Sequence, residues 1–260
     1  MMELKNCDVM EGFKTLPDES VDLICCSPPY NVGIEYDCWD DLMSREDYNE
    51  WVNKWLQECF RVLKEDGRIA INIPYEVNMK HQGSGRVCIL SDYWTTMEKI
   101  GFGWFGLVRL EEIAVQRQKF TAWGSYMSPS MPYIHNAEEC IILAYKDIPK
   151  KIHKGETDLT KELFVEGASG VWHYQAETRG LTMANFSLDI PIKAIKMLSY
   201  KGETVLDPFC GSGTTGVAAI KLDREFVGFE ISKKYHAIAE DRIQYEVDKK
   251  NCALKDMFGG

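Results

Sequence analysis

Apolar side chains recur along this chain in two rhythms. Short runs dense in branched residues fall near 3–7, 21–26 (VDLICC), 68–73 (RIAINI), 104–110, 139–146 (ECIILAYK), 203–207 (ETVLD) and 225–230 (EFVGFE), and each reads as a strand. Between them, apolar residues return every three or four positions, the repeat of a helix with one buried face. Tyr48, Trp51, Trp55, Leu56, Cys59 and Leu63 mark such a face, with Asp66-Gly67 as its expected stop. Its tryptophans are expected in the core. Ser91 is placed to cap a helix over 92–100, Phe186 to Ser199 reads as another, and Lys233 to Asp248 as a last amphipathic one. Strands alternating with helices predict an α/β fold, a doubly wound and mostly parallel seven-stranded sheet.

One region breaks the alternation. Residues 147–185 are rich in Gly, Thr and Glu and basic at Lys150, Lys151, His153 and Lys154, so a small inserted lobe is expected there, between segments 1–146 and 186–260. No internal repeat or low-complexity segment accompanies it.

Composition narrows the picture. With 260 residues and 45% hydrophobic content, the chain suffices for one large α/β domain carrying a small lobe. The opening MMELKNCDV lacks an export signal, and no run reaches the roughly 18 uncharged apolar residues of a membrane span, so a soluble cytosolic protein without a membrane partner is expected. Nine scattered cysteines with no C-x-x-C pair point to reduced thiols and imply no metal. The formal charge of −10 runs against a nucleic-acid partner, because phosphates are met by basic side chains. Such a partner demands a local basic face, for which Lys150 to Lys154 is the candidate.

The chemistry begins at 203–216, ETVLDPFCGSGTTG, where a strand and turn precede Gly211, Gly213 and Gly216 in the spacing G-x-G-x-x-G ahead of an apolar helix. Glycines admit a ligand close to the backbone, and the free N–H groups at Gly213 and Thr214 attract an anion, either a pyrophosphate or a carboxylate. Glu230 ends the next strand, 19 positions after Gly211, where a carboxylate can accept from two ribose hydroxyls. NAD and S-adenosylmethionine both carry such a ribose. Asp207 would face a pyrophosphate badly but can pair with a methionine amino group. No G-x-x-x-x-G-K-[ST] is present, which argues against a nucleoside triphosphate.

DPFCGSGTT resembles the cofactor motif of the amino-group DNA methyltransferases, and GFE the acidic motif that follows it. The similarity covers most of the chain. It implies a class I, Rossmann-like methyltransferase fold, double-stranded DNA as substrate, and S-adenosylmethionine held by Asp207, Pro208, Phe209, Gly211, Ser212, Gly213, Thr214, Thr215 and Glu230.

The second motif lies in VDLICCSPPY, an apolar strand ending in Ser27, Pro28, Pro29 and Tyr30. Prolines stiffen the turn and remove donors, so Ser27 Oγ and the Pro28 carbonyl are presented as fixed acceptors. An exocyclic amino nitrogen is a poor nucleophile because its lone pair is delocalised, and accepting hydrogen bonds from its N–H groups favours the more nucleophilic pyramidal form. Tyr30 is the stacking platform for an extruded base. Methyl delivery in line needs no covalent enzyme intermediate, so Cys25 and Cys26 need not be nucleophiles.

The motif resembles the (D/N/S)-P-P-(Y/F/W) signature of enzymes that make N6-methyladenine or N4-methylcytosine, in which serine is more usual among the cytosine-N4 enzymes. That favours cytosine N4, with adenine N6 as the alternative and an NAD-dependent oxidoreductase as a third reading that leaves SPPY without a task. By the same resemblance Asp8 contacts the cofactor's adenine amino group; on physical grounds alone it caps a short helix.

The catalytic motif precedes the cofactor motif, an order that resembles the circularly permuted β class, in which the DNA-reading segment falls where residues 147–185 lie. TAWGSYMSPSMPYI at 121–134 resembles a stretch preceding that lobe in cytosine-N4 enzymes, with Trp123, Ser125, Ser128 and Tyr133 as candidate base or strand contacts. A histidine common in the family before the cofactor strand is missing from TMANFSLDIP, leaving Asn185 or Ser187 as substitutes beside Phe186 and Pro191. The resemblance leaves room for a homodimer and for a cognate restriction endonuclease as partners.

Overall fold

A computed structural model describes residues 2–39, 41–79, 85–113, 129–130, 138–175 and 186–258. Its strands are β1 (Met2–Asn6), β2 (Val21–Cys26), β3 (Leu63–Pro74), β4 (Val77–Asn78), β5 (Arg86–Val87), β6 (Gly103–Glu112), β7 (Glu139–Tyr145), β8 (Val171–Tyr174), β9 (Thr204–Asp207) and β10 (Glu225–Glu230). The helices are α1 (Val9–Phe13), α2 (Arg45–Val62), α3 (Ile89–Ile100), α4 (Lys161–Gly167), α5 (Asp189–Leu198), α6 (Thr214–Lys221) and α7 (Lys233–Phe258).

Eight strands form one sheet in the order β1-β10-β9-β2-β3-β7-β6-β8, and β4 pairs with β5 in a separate hairpin. Among the described residues, only β7 runs against its neighbours in the large sheet. Helices cover both faces, which is why β2 is buried at all six residues and reads as a continuous apolar run. Tyr48, Trp55 and Tyr93 fill the core under α2 and α3. Ala194, Val217 and Ile243, from α5, α6 and α7, fill the core on the other face.

All seven predicted strands are present. The eighth, β8, comes from the region read as an inserted lobe and adds to the sheet alongside β6, with Arg109 opposite Val171. Trp172 is fully buried there and donates its indole N–H to the Gly167 carbonyl at 3.0 Å. A four-residue strand is too short to show an alternation, so VWHY gave no periodic signal.

Helix boundaries also differ from expectation, among them the start of α5 at Asp189 rather than Phe186. The α2 helix ends at Val62 and the chain passes directly into β3, so Asp66-Gly67 lies in a strand. Gly67 answers a close approach there, since a Cβ would come within 2.8 Å of the Lys64 carbonyl oxygen. The α3 helix starts at Ile89, which places Ser91 inside it, and α7 continues ten residues beyond Asp248.

The basic run at 150–154 is not an unbroken charged face. Lys151 is buried and ion-paired with Glu203 at 3.2 Å and with Asp22 and Asp66 at 3.9 Å. These partners sit beside the first residues of β2 and β9, at the opposite end of the sheet from Asp207 and Glu230. Among the described residues no helix is long and apolar enough to cross a membrane.

Candidate active site

The carboxyl ends of β1, β2, β9 and β10 open onto a cleft of about 300 Å³, the edge where open α/β sheets bind ligands. Asp8, Ser27 to Tyr30, Asp207 to Phe209, Gly211, Ser212, Thr214 and Glu230 all line it. Gly213 and Thr215 stand behind the lining. Gly213 caps α6 in the left-handed region, at φ +83°, against Ala239. Thr215 is fully buried beneath Asp207.

At the glycine loop, carboxylates are held by the backbone. Asp207 accepts from the Phe209 N–H at 3.0 Å, while Glu230 accepts from Gly211 at 2.8 Å and Ser232 at 2.8 Å. Burial pushes the Asp207 carboxyl up to about 7, against the lowering effect of the Thr215 hydroxyl and the Phe209 N–H, and Glu230 adds to the rise. Burial raises Glu230 too, opposed by the Ser232 and Gly211 N–H groups. Arg242 on α7 fastens the loop, its Nη1 donating to the Ser212 carbonyl at 2.5 Å and hydroxyl at 2.8 Å.

Asp8 is the cap expected on physical grounds, and it stands at the cleft. Its side chain caps α1 by accepting from the Met10 N–H at 2.9 Å.

At the SPPY turn, side chains do the holding. Ser27 Oγ and Tyr30 Oη lie 2.7 Å apart, and the Tyr30 hydroxyl reaches the Asn72 carbonyl at 3.2 Å. Tyr48 donates to the Pro29 carbonyl at 2.8 Å and anchors the turn from behind. Burial holds the Cys25 and Cys26 thiols far above their ordinary value, helped by Asp207, so neither is a ready nucleophile.

The segment after the turn walls the cleft. Asp41 accepts from four consecutive backbone N–H groups, Asn31 to Ile34, at 2.9 to 3.0 Å, and so gathers that loop around one carboxylate. Farther along, Asp37 accepts from the Ser232 hydroxyl at 2.7 Å, tying the wall to the end of β10. Trp39 packs on Trp51, with ring centroids 4.8 Å apart.

The profile of the DNA methylase family N6_N4_Mtase matches residues 21–241, from the strand before SPPY to the helix behind the glycine loop. The chain belongs to this family. The methylase is 40% identical to the Type II methyltransferase M.MjaVI of Methanocaldococcus jannaschii over 63% of its own length and 81% of the relative's. It is 30% identical to M.BamHI of Bacillus amyloliquefaciens over 88% of its length, spanning 54% of that protein. In structure it resembles TTHA0409 of Thermus thermophilus, solved with S-adenosyl-L-methionine, at a TM-score of 0.74 and 25% identity, covering 95% of each chain. PvuII DNA methyltransferase, described as cytosine-N4-specific, shares the fold at a TM-score of 0.71 and 20% identity, over 96% of this chain and 91% of that one. Family membership sets aside the oxidoreductase reading.

Several residues of the methylase's cleft escaped the sequence reading. Trp51, read as core, lines the cleft and packs on Phe209 at 5.5 Å, whereas its neighbour Trp55 is fully buried. Glu139 lines the cleft as well, and its Oε2 accepts a hydrogen bond from Asn72 Nδ2. A signal for Asn72 existed, as the one uncharged polar residue in RIAINI. Ser187 does not face the cleft; its hydroxyl donates to the Gln175 carbonyl at 2.7 Å, and Phe186 lines the cleft instead. Asn185, Trp123, Ser125, Ser128 and Tyr133 lie outside the described residues.

Proposed function

We propose that this DNA methylase places its methyl group on N4 of a cytosine flipped out of a duplex recognition site. The chain is a site-specific DNA amino-methyltransferase, and its cofactor is S-adenosylmethionine. The lining chemistry fits that cofactor. Two carboxylates sit where a cationic amino group and a ribose need acceptors, beside a glycine turn and the Phe209 and Trp51 rings. Asp207 would take the amino group, Glu230 the ribose hydroxyls and Asp8 the adenine amino group, with Phe209, Gly211 and Ser212 shaping the wall. When bound, S-adenosylmethionine supplies an activated sulfonium methyl.

The protein's own part is to bind, orient and exclude water. Ser27 Oγ and the Pro28 carbonyl accept from the target amino group, and Tyr30 stacks on the base. Holding nucleophile and methyl in line supplies about 7–11 kcal/mol of barrier lowering in well-oriented systems. The observation that carries the reading is Ser27, at the head of the SPPY turn and in the same cleft as the glycine loop. Residues 147–185 are proposed to read the DNA sequence. The Type II names of the relatives support a restriction–modification setting with a cognate endonuclease.

The test is nucleoside analysis of DNA methylated by the purified chain. N4-methyldeoxycytidine is expected. N6-methyldeoxyadenosine would move the target to adenine within the same chemistry, and 5-methyldeoxycytidine alone would overturn the amino-group assignment.

A further inference from the structure

We propose that Glu139, acting through Asn72, holds the Tyr30 hydroxyl in the place where it takes the Ser27 proton, and so leaves Ser27 an acceptor toward the target amino group. This rests on the reading of Ser27 given above.

A serine hydroxyl both donates and accepts, so Ser27 presents free lone pairs to an amino group only if its own proton is committed elsewhere. The neighbouring atoms supply that commitment. Tyr30 Oη accepts from Asn72 Nδ2 at 3.2 Å, and the Tyr30 O–H donates to the Asn72 main-chain carbonyl at 3.2 Å. With the tyrosine proton on that carbonyl, the 2.7 Å contact between Ser27 and Tyr30 has one consistent direction, with Ser27 as donor. Both lone pairs of Ser27 Oγ then remain for the base.

The Tyr30 hydroxyl is kept in that place by the Asn72 amide, whose Nδ2 donates to it. Turned over, the amide would lose that donation and set its oxygen against the Glu139 carboxylate. Asn72 is 1% exposed, and its Oδ1 has no hydrogen-bond partner among the described residues. An unsatisfied buried carbonyl is unfavourable, so the opposite face of the amide must be held firmly. Glu139 holds it, because Oε2 accepts from the same Nδ2 that reaches Tyr30. The sheet makes the meeting possible. Since β7 runs antiparallel to β3, its first residue arrives at the cleft edge, with Pro74 opposite Glu139 and Asn72 opposite Ile141, and the diagonal pair Asn72 and Glu139 shares one face. Glu139 is thus a positioning residue.

Single-turnover methylation of duplex DNA by the full chain, at saturating S-adenosylmethionine, tests this. Glu139→Leu should slow methyl transfer about tenfold, as expected for one lost orienting hydrogen bond, while cofactor affinity stays within about twofold. Glu139→Gln keeps an accepting oxygen and should restore the rate to within about threefold of wild type. A wild-type rate in Glu139→Leu overturns the proposal. So does a Glu139→Gln rate as low as that of Glu139→Leu, since charge rather than acceptor geometry would then matter. Should Glu139→Leu fail to fold, Tyr30→Phe carries the test, because it keeps the ring but removes the atom that takes the Ser27 proton; about tenfold loss is expected, and an unchanged rate overturns the proposal. Ser27→Ala separates the two levels. If it is fully active, the reading of Ser27 fails; if it is impaired while Glu139→Leu is not, only the role of Glu139 falls.

Discussion

At the glycine-loop end of the cleft, the carboxylates of Asp207 and Glu230 are held by backbone N–H groups 2 and 19 residues away in the chain. At the SPPY end, the polar atoms are held by side chains separated by 42 and 67 residues. The first construction is local and depends on backbone shape, which suits a cofactor whose structure never varies. The second depends on side chains from β3 and β7 and can be altered one substitution at a time. If the two ends are separate devices, changes at one should leave the other's measurements untouched.

The largest expected effect is at the base end. Ser27→Ala should lower single-turnover methyl transfer by about 10²–10³-fold, the usual cost of removing one positioned partner of the reacting group, with S-adenosylmethionine affinity unchanged in calorimetry. A parallel loss of cofactor affinity would break the separation. Next, Asp207→Asn should weaken S-adenosylmethionine binding by about 10–100-fold, the range for a lost charge-assisted hydrogen bond, and leave DNA affinity unaltered in a gel-shift titration.

The Asp207 carboxyl also predicts a pH dependence. Its value of about 7 lies above the ordinary carboxylate value of 3.8, so folding favours the protonated form, a contribution present below 3.8 and lost as pH rises through about 7. A cationic amino group favours the carboxylate instead and expels the proton. Cofactor affinity should therefore rise by up to about tenfold per pH unit below about pH 7 and level off above it, and Asp207→Asn should abolish the slope. Thermal stabilisation by S-adenosylmethionine at several pH values measures this.

The smallest effect concerns the loop itself. Gly213 and Gly202 have similar positive φ values, +83° and +80°, but a Cβ at Gly213 would lie 2.9 Å from the Ala239 Cβ, whereas nothing lies within 4 Å of one at Gly202. Gly213→Ala should cost about 1–3 kcal/mol, and Gly202→Ala about 1 kcal/mol from the backbone alone, as read in denaturant melts. Equal losses would show that the glycine loop is not held against α7.

What could be read from the sequence follows the same division. The seven strands and both motifs were legible because their information lies in consecutive residues, whether as an apolar run, a glycine spacing or a proline turn. The pairing of Glu139 with Asn72 was not, since it depends on the antiparallel register of β7, which no local pattern encodes. Asp41 was equally hidden, for a carboxylate that gathers four N–H groups looks like any other acidic loop residue until the loop closes on it. Lys151 misled for the opposite reason. A lysine in a basic run suggests a solvated face, but three carboxylates from separate segments surround this one. Trp51 and Trp55 share a helical face and both pack on Phe209, yet one lines the cleft while the other is sealed in the core, a difference that the helical repeat does not encode.

The pairing of β2 bears on how the chain is made. One neighbour, β3, follows it within about one helix and a loop, but the other, β9, supplies Val205 opposite Leu23 only 182 residues later, as the spacing of Asp22 and Thr204 also records. During synthesis the edge of VDLICC destined for β9 therefore stays unpaired while most of the chain emerges from the ribosome. Late, long-range pairing of this kind is slow and leaves an apolar strand edge open to association with other chains. Asp22 is the single charge in that strand; a charge within an apolar strand disfavours such association, and in the folded chain this one pairs with Lys64 and accepts from the Thr204 N–H.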